Sequence, residues 1–366
     1  MNPLDTAPDP AVPVFGLARE AKRRLLEPLL WQLTQHHRQA CVAYDRVLEA
    51  RGEQQTAGAL EDLPMLPVRL FKHERLSSIA PEQVFRTLSS SGTSGQAPSI
   101  IVLDKTTAQR QTQALVRILQ DFIGKARQPM LLIDHPGVLR QREAFSARGA
   151  GLLGLMNFGR SPVYALREDM SLDEASVREF AEAHSGAPVL LFGFTYMVWQ
   201  HFVLALRARG LRLALPAGVL LHSGGWKKLQ AEAVGNAEFR QAVADATGIT
   251  RVLNFYGMAE QVGSVFVECE RGHLHAPSFA DVLVRDPVTL VPLPAGASGL
   301  LQVLSCLPHS YPGHSLLTED LGTWLGEDNC PCGRLGRYFQ VHGRLPKAEL
   351  RGCSDTQPGR AADLPA

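Results

Sequence analysis

The chain has 366 residues with 37 basic and 36 acidic side chains, a formal net charge of +1. Such a balance excludes the basic field that nucleic acid or an anionic membrane surface would require. Hydrophobic residues make up 45% and charged residues 20%, as in a globular enzyme with a substantial core, and the length allows two or three domains. Six cysteines over this length do not make a disulfide scaffold; reduced thiols and a cytoplasmic location are expected. The opening MNPLDTAPDP has neither the basic start nor the apolar stretch of a secretory signal.

Glu20 to Arg51 contains no glycine and one proline, and its spacing predicts one or two amphipathic helices. The prolines of EDLPMLPVRLFKHE break helix, and Val68–Phe71 reads as a short strand. Strand-like Val84–Leu88 leads into the Ser89–Gly95 segment SSSGTSG, and strand-like Ser99–Asp104 leads out. A helix is expected over Thr106–Ile123, capped by Thr106 or Thr107. Beyond it the chain alternates. MLLIDHP reads as a strand, Leu172–Ala183 as a helix, Val189–Phe192 as a strand and Tyr196–Arg209 as a helix. LRLALPAGVLLHSGG reads as further strands, Ala231–Thr247 as a helix and RVLNFYGMAE as a strand running into a polar loop. Alternation of this kind indicates α/β layers. Ala187–Leu206 is apolar and long enough for a bilayer, but Pro188, Gly193, Gln200 and His201 interrupt it. A buried parallel strand, a turn and a packed helix fit it better than a membrane span.

From Val265 onward short strands with Pro and Gly turns predict a β-rich subdomain. The expected division is a helical lead-in over 1–80, an α/β nucleotide-binding core over 81–264, the β-rich subdomain over 265–342, and a hinge and tail over 343–366. The tail from Thr356 is expected to be disordered.

Ser89, Ser90, Ser91, Gly92, Thr93, Ser94 and Gly95 have the composition of an anion-binding turn. Glycines admit the backbone to a phosphate, successive N–H groups form a nest, and hydroxyls add donors. No Gly-Lys-Ser/Thr follows, so the Walker pattern fails. The same composition also fits a flexible surface loop.

Ser90–Gly95 resembles the phosphate loop of adenylate-forming enzymes, the superfamily of acyl-CoA ligases, firefly-type luciferases and peptide-synthetase adenylation domains. Three further segments follow in that superfamily's order. NFYGMAE (Asn254–Glu260) resembles its aromatic-glycine-x-x-glutamate motif. TEDLG (Thr318–Gly322) resembles its T-G-D, with Glu319 in place of glycine. HGRLPKAELRG (His342–Gly352) resembles its glycine-arginine hinge. Within the superfamily the chain is most similar to the acyl-protein synthetases of bacterial bioluminescence operons, with phenylacetate-CoA ligases as cousins. That likeness spans nearly the whole chain and includes LPVRLFK, SSSGTSG with its following aspartate and Thr/Gln-rich helix, and a cysteine shortly before the end.

The resemblance implies an α/β fold, the large N-terminal domain of the superfamily with the C-terminal lid truncated. It implies ATP and Mg²⁺, a carboxylic substrate of the long-chain fatty class, and transfer of the acyl group to a protein thiol, Cys353. A fatty acyl reductase or another acyl-accepting protein is the implied partner. Glu260 would be the Mg²⁺ ligand, since a hard cation takes carboxylate oxygen. Asn254, Phe255, Tyr256 and Gly257 would border the nucleotide, with Tyr256 against adenine. His222, Ser223, Gly224 and Gly225 would line the adenine side, and Asp320 would accept from the ribose hydroxyls. Arg337 and Arg344 are candidates for the ribose or α-phosphate, Arg344 the better placed by motif. Glutamate at 319 tolerates positive φ poorly, which puts the local geometry in question. The superfamily's lid lysine has no evident counterpart before the chain stops; Lys347 is a candidate substitute.

Arg344, Lys347 and Arg351 near Cys353 would raise its thiolate fraction. Cys330 and Cys332, with Cys269 and His275, make a candidate Cys₃His zinc site, His275 being preferred to His273 by the same resemblance. Phe192, Phe194, Tyr196, Met197 and Trp199 are candidates for the acid pocket, although an aromatic run is more often core. Two other functions stay open at this point. One is an acyl-CoA or acyl-carrier-protein ligase; the other is a non-catalytic scaffold that binds nucleotide or acid.

Overall fold

A computed structural model describes residues 11–53, 58–89, 98–139, 147–225 and 234–345. Two helices open it, α1 (Arg19–Ala40) and α2 (Val42–Ala50). Leu26, Leu29, Leu30, Leu33 and His37 recur at helical spacing on α1 and are buried, so this face covers the core. The strand β1 (Leu66–Pro67) adds in parallel to the long strand Ser315–Glu327. Val68–Lys72 is a 3₁₀ turn and not the expected strand. Pro67 has no N–H to continue the ladder, so pairing stops there.

Strands β2 (Arg86–Ser89) and β3 (Ile100–Leu103) form a separate antiparallel pair, with Ser89 opposite Ile100 at the mouth of the Ser/Gly segment. Helix α3 (Lys105–Ile123) follows, and its N-cap is Asp104, whose Oδ1 accepts from the Thr107 N–H at 2.6 Å. The cap is therefore neither threonine; a carboxylate two positions before Thr106 satisfies an orphan donor.

The main sheet has twelve strands. Besides β1 it contains β4 (Gln128–Leu132), β5 (Gly159–Tyr164), β6 (Leu190–Phe194), β7 (Val219–Ser223) and β8 (Arg251–Tyr256). It continues through β9 (Phe266–Glu268), β10 (Leu274–His275), β11 (Ala280–Arg285), β12 (Ser298–Ser305), β13 (Ser315–Glu327) and β14 (Arg337–Arg344). The order is β11-β12-β13-β14-β10-β9-β8-β7-β6-β4-β5. Pairings among β4 to β8 are parallel and those from β8 to β14 are antiparallel. Strand β10 joins one half of the sheet, β11 to β14, to the other, β9 through β5, by two residues, Leu274 facing Glu268 and Phe339, and His275 facing Val267 and Tyr338.

Strands β4, β6 and β7 are largely buried on both faces, as crossover helices require, whereas the edge strand β5 is half exposed. Leu190 and Phe192 enter the core shared with α1 and α3. Leu191 and Val189 enter a second core with α5 (Glu174–Ala183) and α8 (Asn236–Thr247). Helix α4 (Ala147–Met156) and β5 had no clear counterpart in the pattern. Ala187–Leu206 resolves as expected into β6 and a helix: α6 (Thr195–Met197), a π-helical stretch (Val198–Val203) and α7 (Leu204–Ala208). Among the described residues no helix is long and apolar enough to cross a membrane. Leu211–Leu215 adds no strand; the Leu213 and Leu215 N–H groups donate to Ala246 and Thr247 at the end of α8. The β-rich region after Val265 extends the same sheet, Phe255 of β8 pairing with Val267 of β9.

Candidate functional site

Parallel α/β sheets offer their ligand crevice at the carboxyl ends of the strands. Here Phe194, Ser223 and Phe255 stand in register at the ends of β6, β7 and β8. The chain turns away at Gly224, whose φ of +85° suits glycine. Ser223 Oγ donates to the Phe255 carbonyl at 2.8 Å, tying β7 to β8. His222 Nδ1 lies 2.9 Å from Thr195 Oγ1 and its ring packs on Phe239. Burial pushes the His222 imidazole down to about 3, so it is neutral at physiological pH. Gly225 is exposed at the edge of the described chain. Asn236 Nδ2 donates to Glu268 Oε1 at 2.9 Å, and Asn254 lies beside the same carboxylate.

After β8 the chain passes Gly257 and forms a 3₁₀ turn, Ala259–Gln261, that carries the buried Glu260. Three contacts seat this turn. Gln261 Nε2 donates to the carbonyls of Val303 (3.0 Å) and Gly313 (2.8 Å). Ser264 Oγ lies 2.6 Å from Ser305 Oγ. Gly263 has a φ of +88° and presses on α3, where a Cβ would meet the Gln111 carbonyl at 2.5 Å.

Across the sheet, β13 and β14 place Asp320 opposite Arg344. The Tyr256 hydroxyl donates to Asp320 Oδ2 at 2.7 Å, and Arg344 Nε stands 3.6 Å from Oδ1. Thr318 Oγ1 accepts from the Asp320 N–H at 3.1 Å. Burial holds the Asp320 carboxyl above the ordinary aspartate range, while Tyr256 and Arg344 draw it back down. Burial and the facing carboxylate push the Tyr256 phenol up. Tyr256, Asp320 and Arg344 are thus brought together from β8, β13 and β14.

Glu319 sits in extended backbone without positive φ. The expected strain is absent because a strand, not a turn, passes through this position. Its carboxylate pairs with the Arg69 guanidinium from the 3₁₀ turn after β1. Arg337 is not brought to the cluster. It stands opposite Glu327, seven positions along β14 from Arg344, roughly 23 Å at ~3.3 Å per residue. There it donates to the Val282 carbonyl at 3.0 Å and pairs with Glu61 (3.3 Å) and Glu327 (3.6 Å). Lys22 of α1, buried and 3.5 Å from Asp281, shares this ionic patch. A guanidinium buried and held among internal carboxylates is not presented to a nucleotide at the Asp320 cluster. Ser89 is exposed at the end of β2, whereas Ser90, Ser91, Gly92, Thr93, Ser94, Gly95, Lys347 and Cys353 lie outside the described residues.

The Cys₃His set does assemble. The donor atoms of Cys269, His275, Cys330 and Cys332 all lie within 4.8 Å of one another. Cys269 and Cys330 Sγ are 4.0 Å apart, and Cys332 Sγ is 3.3 Å from His275 Nε2. Backbone N–H groups two residues on, at Arg271 and Arg334, donate to Cys269 and Cys332 Sγ at 3.4 and 3.5 Å. Such donors stabilise thiolates. Burial pushes the Cys269 thiol up, the Cys330 thiol up to about 12 and the His275 imidazole down to about 3. Buried soft donors of this kind fit Zn²⁺ in a closed, structural site. His273 stays outside the set but brings Nδ1 to 3.4 Å from Cys330 Sγ.

Sequence reasoning missed Thr195, Arg69, Gln111, Gln261 and Tyr311. Gln111 Nε2 donates to the Tyr311 hydroxyl at 3.0 Å. Burial and the nearby Glu260 charge push that phenol up.

This mixed sheet is structurally similar to the large domain of adenylate-forming ligases. Two structures of 2-hydroxyisobutyryl-CoA ligase share it. The open form with 2-HIB-AMP and CoA superposes with a TM-score of 0.68 at 19% identity, covering 90% of this chain and 76% of that one. The postadenylation form with 2-HIB-AMP also gives 0.68, at 18% identity over 90% and 69% of the two chains. The sequence profile of the family "Acyl-protein synthetase, LuxE" matches residues 10–359, and the chain belongs to that family. It is 24% identical over 345 residues to the long-chain-fatty-acid–luciferin-component ligase of Vibrio harveyi, covering 92% of this chain and 88% of the relative. The Aliivibrio fischeri ligase of the same name is 23% identical over 307 residues, 81% and 78% of the two chains.

Proposed function

We propose that the protein activates a long-chain fatty acid with Mg·ATP to an acyl-adenylate and transfers the acyl group to its own Cys353, from which a reductase or another acyl-accepting protein takes it. The observation that carries this reading is the Tyr256–Asp320–Arg344 cluster, gathered from three strands within a family of acyl-protein synthetases. A buried carboxylate with a second oxygen still able to accept suits vicinal ribose hydroxyls. The Ser90–Gly95 segment, which lies in sequence between β2 and β3, would hold the β- and γ-phosphates. Glu260 would hold the metal of Mg·ATP, which neutralises charge on the leaving pyrophosphate.

The substrate carboxylate then attacks the α-phosphorus and pyrophosphate departs. In the second step the Cys353 thiolate attacks the acyl carbonyl and AMP leaves, the thiol proton having gone to solvent or base. Leu345 is the last described residue, and eight further residues reach Cys353, so an extended tether spans up to ~26 Å at ~3.3 Å per residue. The Cys₃His group would hold a structural Zn²⁺ at the seam between the half-sheets, away from the reaction.

The test is acid-dependent ATP–pyrophosphate exchange. Cys353→Ser should retain exchange, because adenylation precedes the thiol step, while Glu260→Ala should lose it. Equal exchange in wild type and Glu260→Ala would remove the metal assignment. Appearance of acyl-CoA on adding coenzyme A, with no acyl-protein, would move the acceptor from Cys353 to a free thiol.

A further inference from the structure

We infer that His273 is a positioning residue for the Cys₃His metal centre: its Nδ1–H donates to the Cys330 thiolate and sets how tightly that centre holds Zn²⁺. The inference rests on the proposed structural zinc and adds to it a side chain that stands outside the ligand set.

The β9–β10 hairpin puts this histidine in place. Glu268 and Leu274 pair across the two strands, and between them the Cys269 N–H donates to the His273 carbonyl at 2.8 Å. Gly272, with a φ of +77°, lets the chain turn that tightly. One turn therefore carries a zinc ligand at its start, Cys269, and His273 at its end. Alternate residues along extended chain share a face, so His273 and His275 lie on one side of the hairpin. Both rings stack on Tyr338 of β14, with centroids 4.9 and 5.8 Å away and planes 26° apart in each case. The stack holds the half-buried His273 ring so that Nδ1 stands 3.4 Å from Cys330 Sγ. A metal-bound thiolate has no proton, so the hydrogen of this contact belongs to the imidazole. Three thiolates and one neutral imidazole leave Zn²⁺ with one negative charge in excess, in a largely buried site. Hydrogen bonds to the sulfurs spread that charge. Cys269 and Cys332 take theirs from the backbone N–H groups of Arg271 and Arg334. At Cys330 the His273 ring supplies a donor, and across 57 positions it ties the hairpin to the loop that carries the other two thiols.

The experiment uses the full chain and two substitutions that separate the donor from the ring. His273→Phe keeps an aromatic ring over Tyr338 and loses the N–H. His273→Asn loses the ring and keeps an amide N–H at the Nδ1 position. Competition with a chromophoric chelator reads the zinc affinity. Hydrogen-bond partners of metal ligands are worth about 10- to 100-fold in affinity, so His273→Phe should weaken Zn²⁺ binding about tenfold, while His273→Asn should stay within about threefold of wild type. Co²⁺ loaded into the metal-free protein reports the bond itself. The sulfur-to-cobalt charge-transfer band should move to lower energy in His273→Phe, because a thiolate that loses a hydrogen bond gives up electron density more readily, and should stay in place in His273→Asn. Thermal melts of the zinc-loaded proteins show whether each is folded; if His273→Phe is not, His273→Ala, which also lacks the donor, takes its place. Wild-type affinity with an unmoved band in the folded donor-less variant, or a loss in His273→Asn that matches it, overturns this inference and leaves the zinc centre standing. A wild-type protein that takes up neither Zn²⁺ nor Co²⁺ removes the centre and this inference with it.

Discussion

Replacing Tyr256 by phenylalanine removes one oxygen from the Tyr256–Asp320–Arg344 cluster and leaves the ring in place. In the native structure that oxygen donates at 2.7 Å to Asp320, whose side chain is 19% exposed. Arg344 provides little compensation, because it stands 3.6 Å away with its side chain 69% exposed. Loss of a hydrogen bond to a buried ionised group costs ~1.5–3 kcal/mol, against ~0.5–1.5 kcal/mol when the acceptor is neutral. The penalty should therefore depend on pH, and its sign follows from Asp320. The carboxyl lies above its ordinary range in the folded protein, burial outweighing the pull of Tyr256 and Arg344. A raised carboxyl contributes stability below its unfolded value and loses it as pH rises through the folded value. Removing the Tyr256 donor raises the folded value further and enlarges that loss. The Tyr256→Phe penalty should be largest at neutral pH and should shrink as Asp320 becomes protonated in acid. Thermal melts of both proteins across a pH series without nucleotide measure it, as several degrees at pH 7. A penalty that is constant with pH, or that grows in acid, would refute the reasoning.

A strong chelator, or Cys330→Ser, should lower the melting temperature by an amount equivalent to several kcal/mol. It should also speed amide hydrogen exchange first at Leu274 and His275, the two residues that join the half-sheets; unchanged exchange there would contradict a structural metal. Lys22→Ala should cost ~3–5 kcal/mol, because it leaves Asp281 buried without its partner, and a urea titration reads this directly. Gly263→Ala should disturb pyrophosphate exchange more than a surface substitution does, since its Cβ would meet the Gln111 carbonyl and the backbone has positive φ. Full exchange in that variant would show that the Glu260 turn has room to shift.

Strand β6 was readable because a buried strand leaves a continuous apolar run, Val189–Phe192, while β5, half exposed as GRSPVY, leaves none. The ends of β7 and β8 were readable because glycine interrupts their runs at Gly224 and Gly257. The Cys₃His set came from ligand types on two separate loops, and the fold closes them together. Arg337 misled because its motif neighbourhood says nothing of Glu61 and Glu327, which pair with it in the interior. Glu319 misled because a motif position that is a turn elsewhere is a strand here. Arg69 pairs with Glu319 across 250 positions, and Gln111 with Tyr311 across 200. Such contacts have no local periodicity, so only the assembled fold reveals them.

The central claim is that this chain makes an adenylate and then carries the acyl group itself. Intact-protein mass spectrometry after incubation with Mg·ATP and a long-chain fatty acid tests it in one measurement. The account predicts a mass gain of one acyl group, dependent on ATP, released by neutral hydroxylamine and confined to the peptide containing Cys353. Adenylate formation without any acylated protein, or acylation that persists in Cys353→Ser, would contradict it.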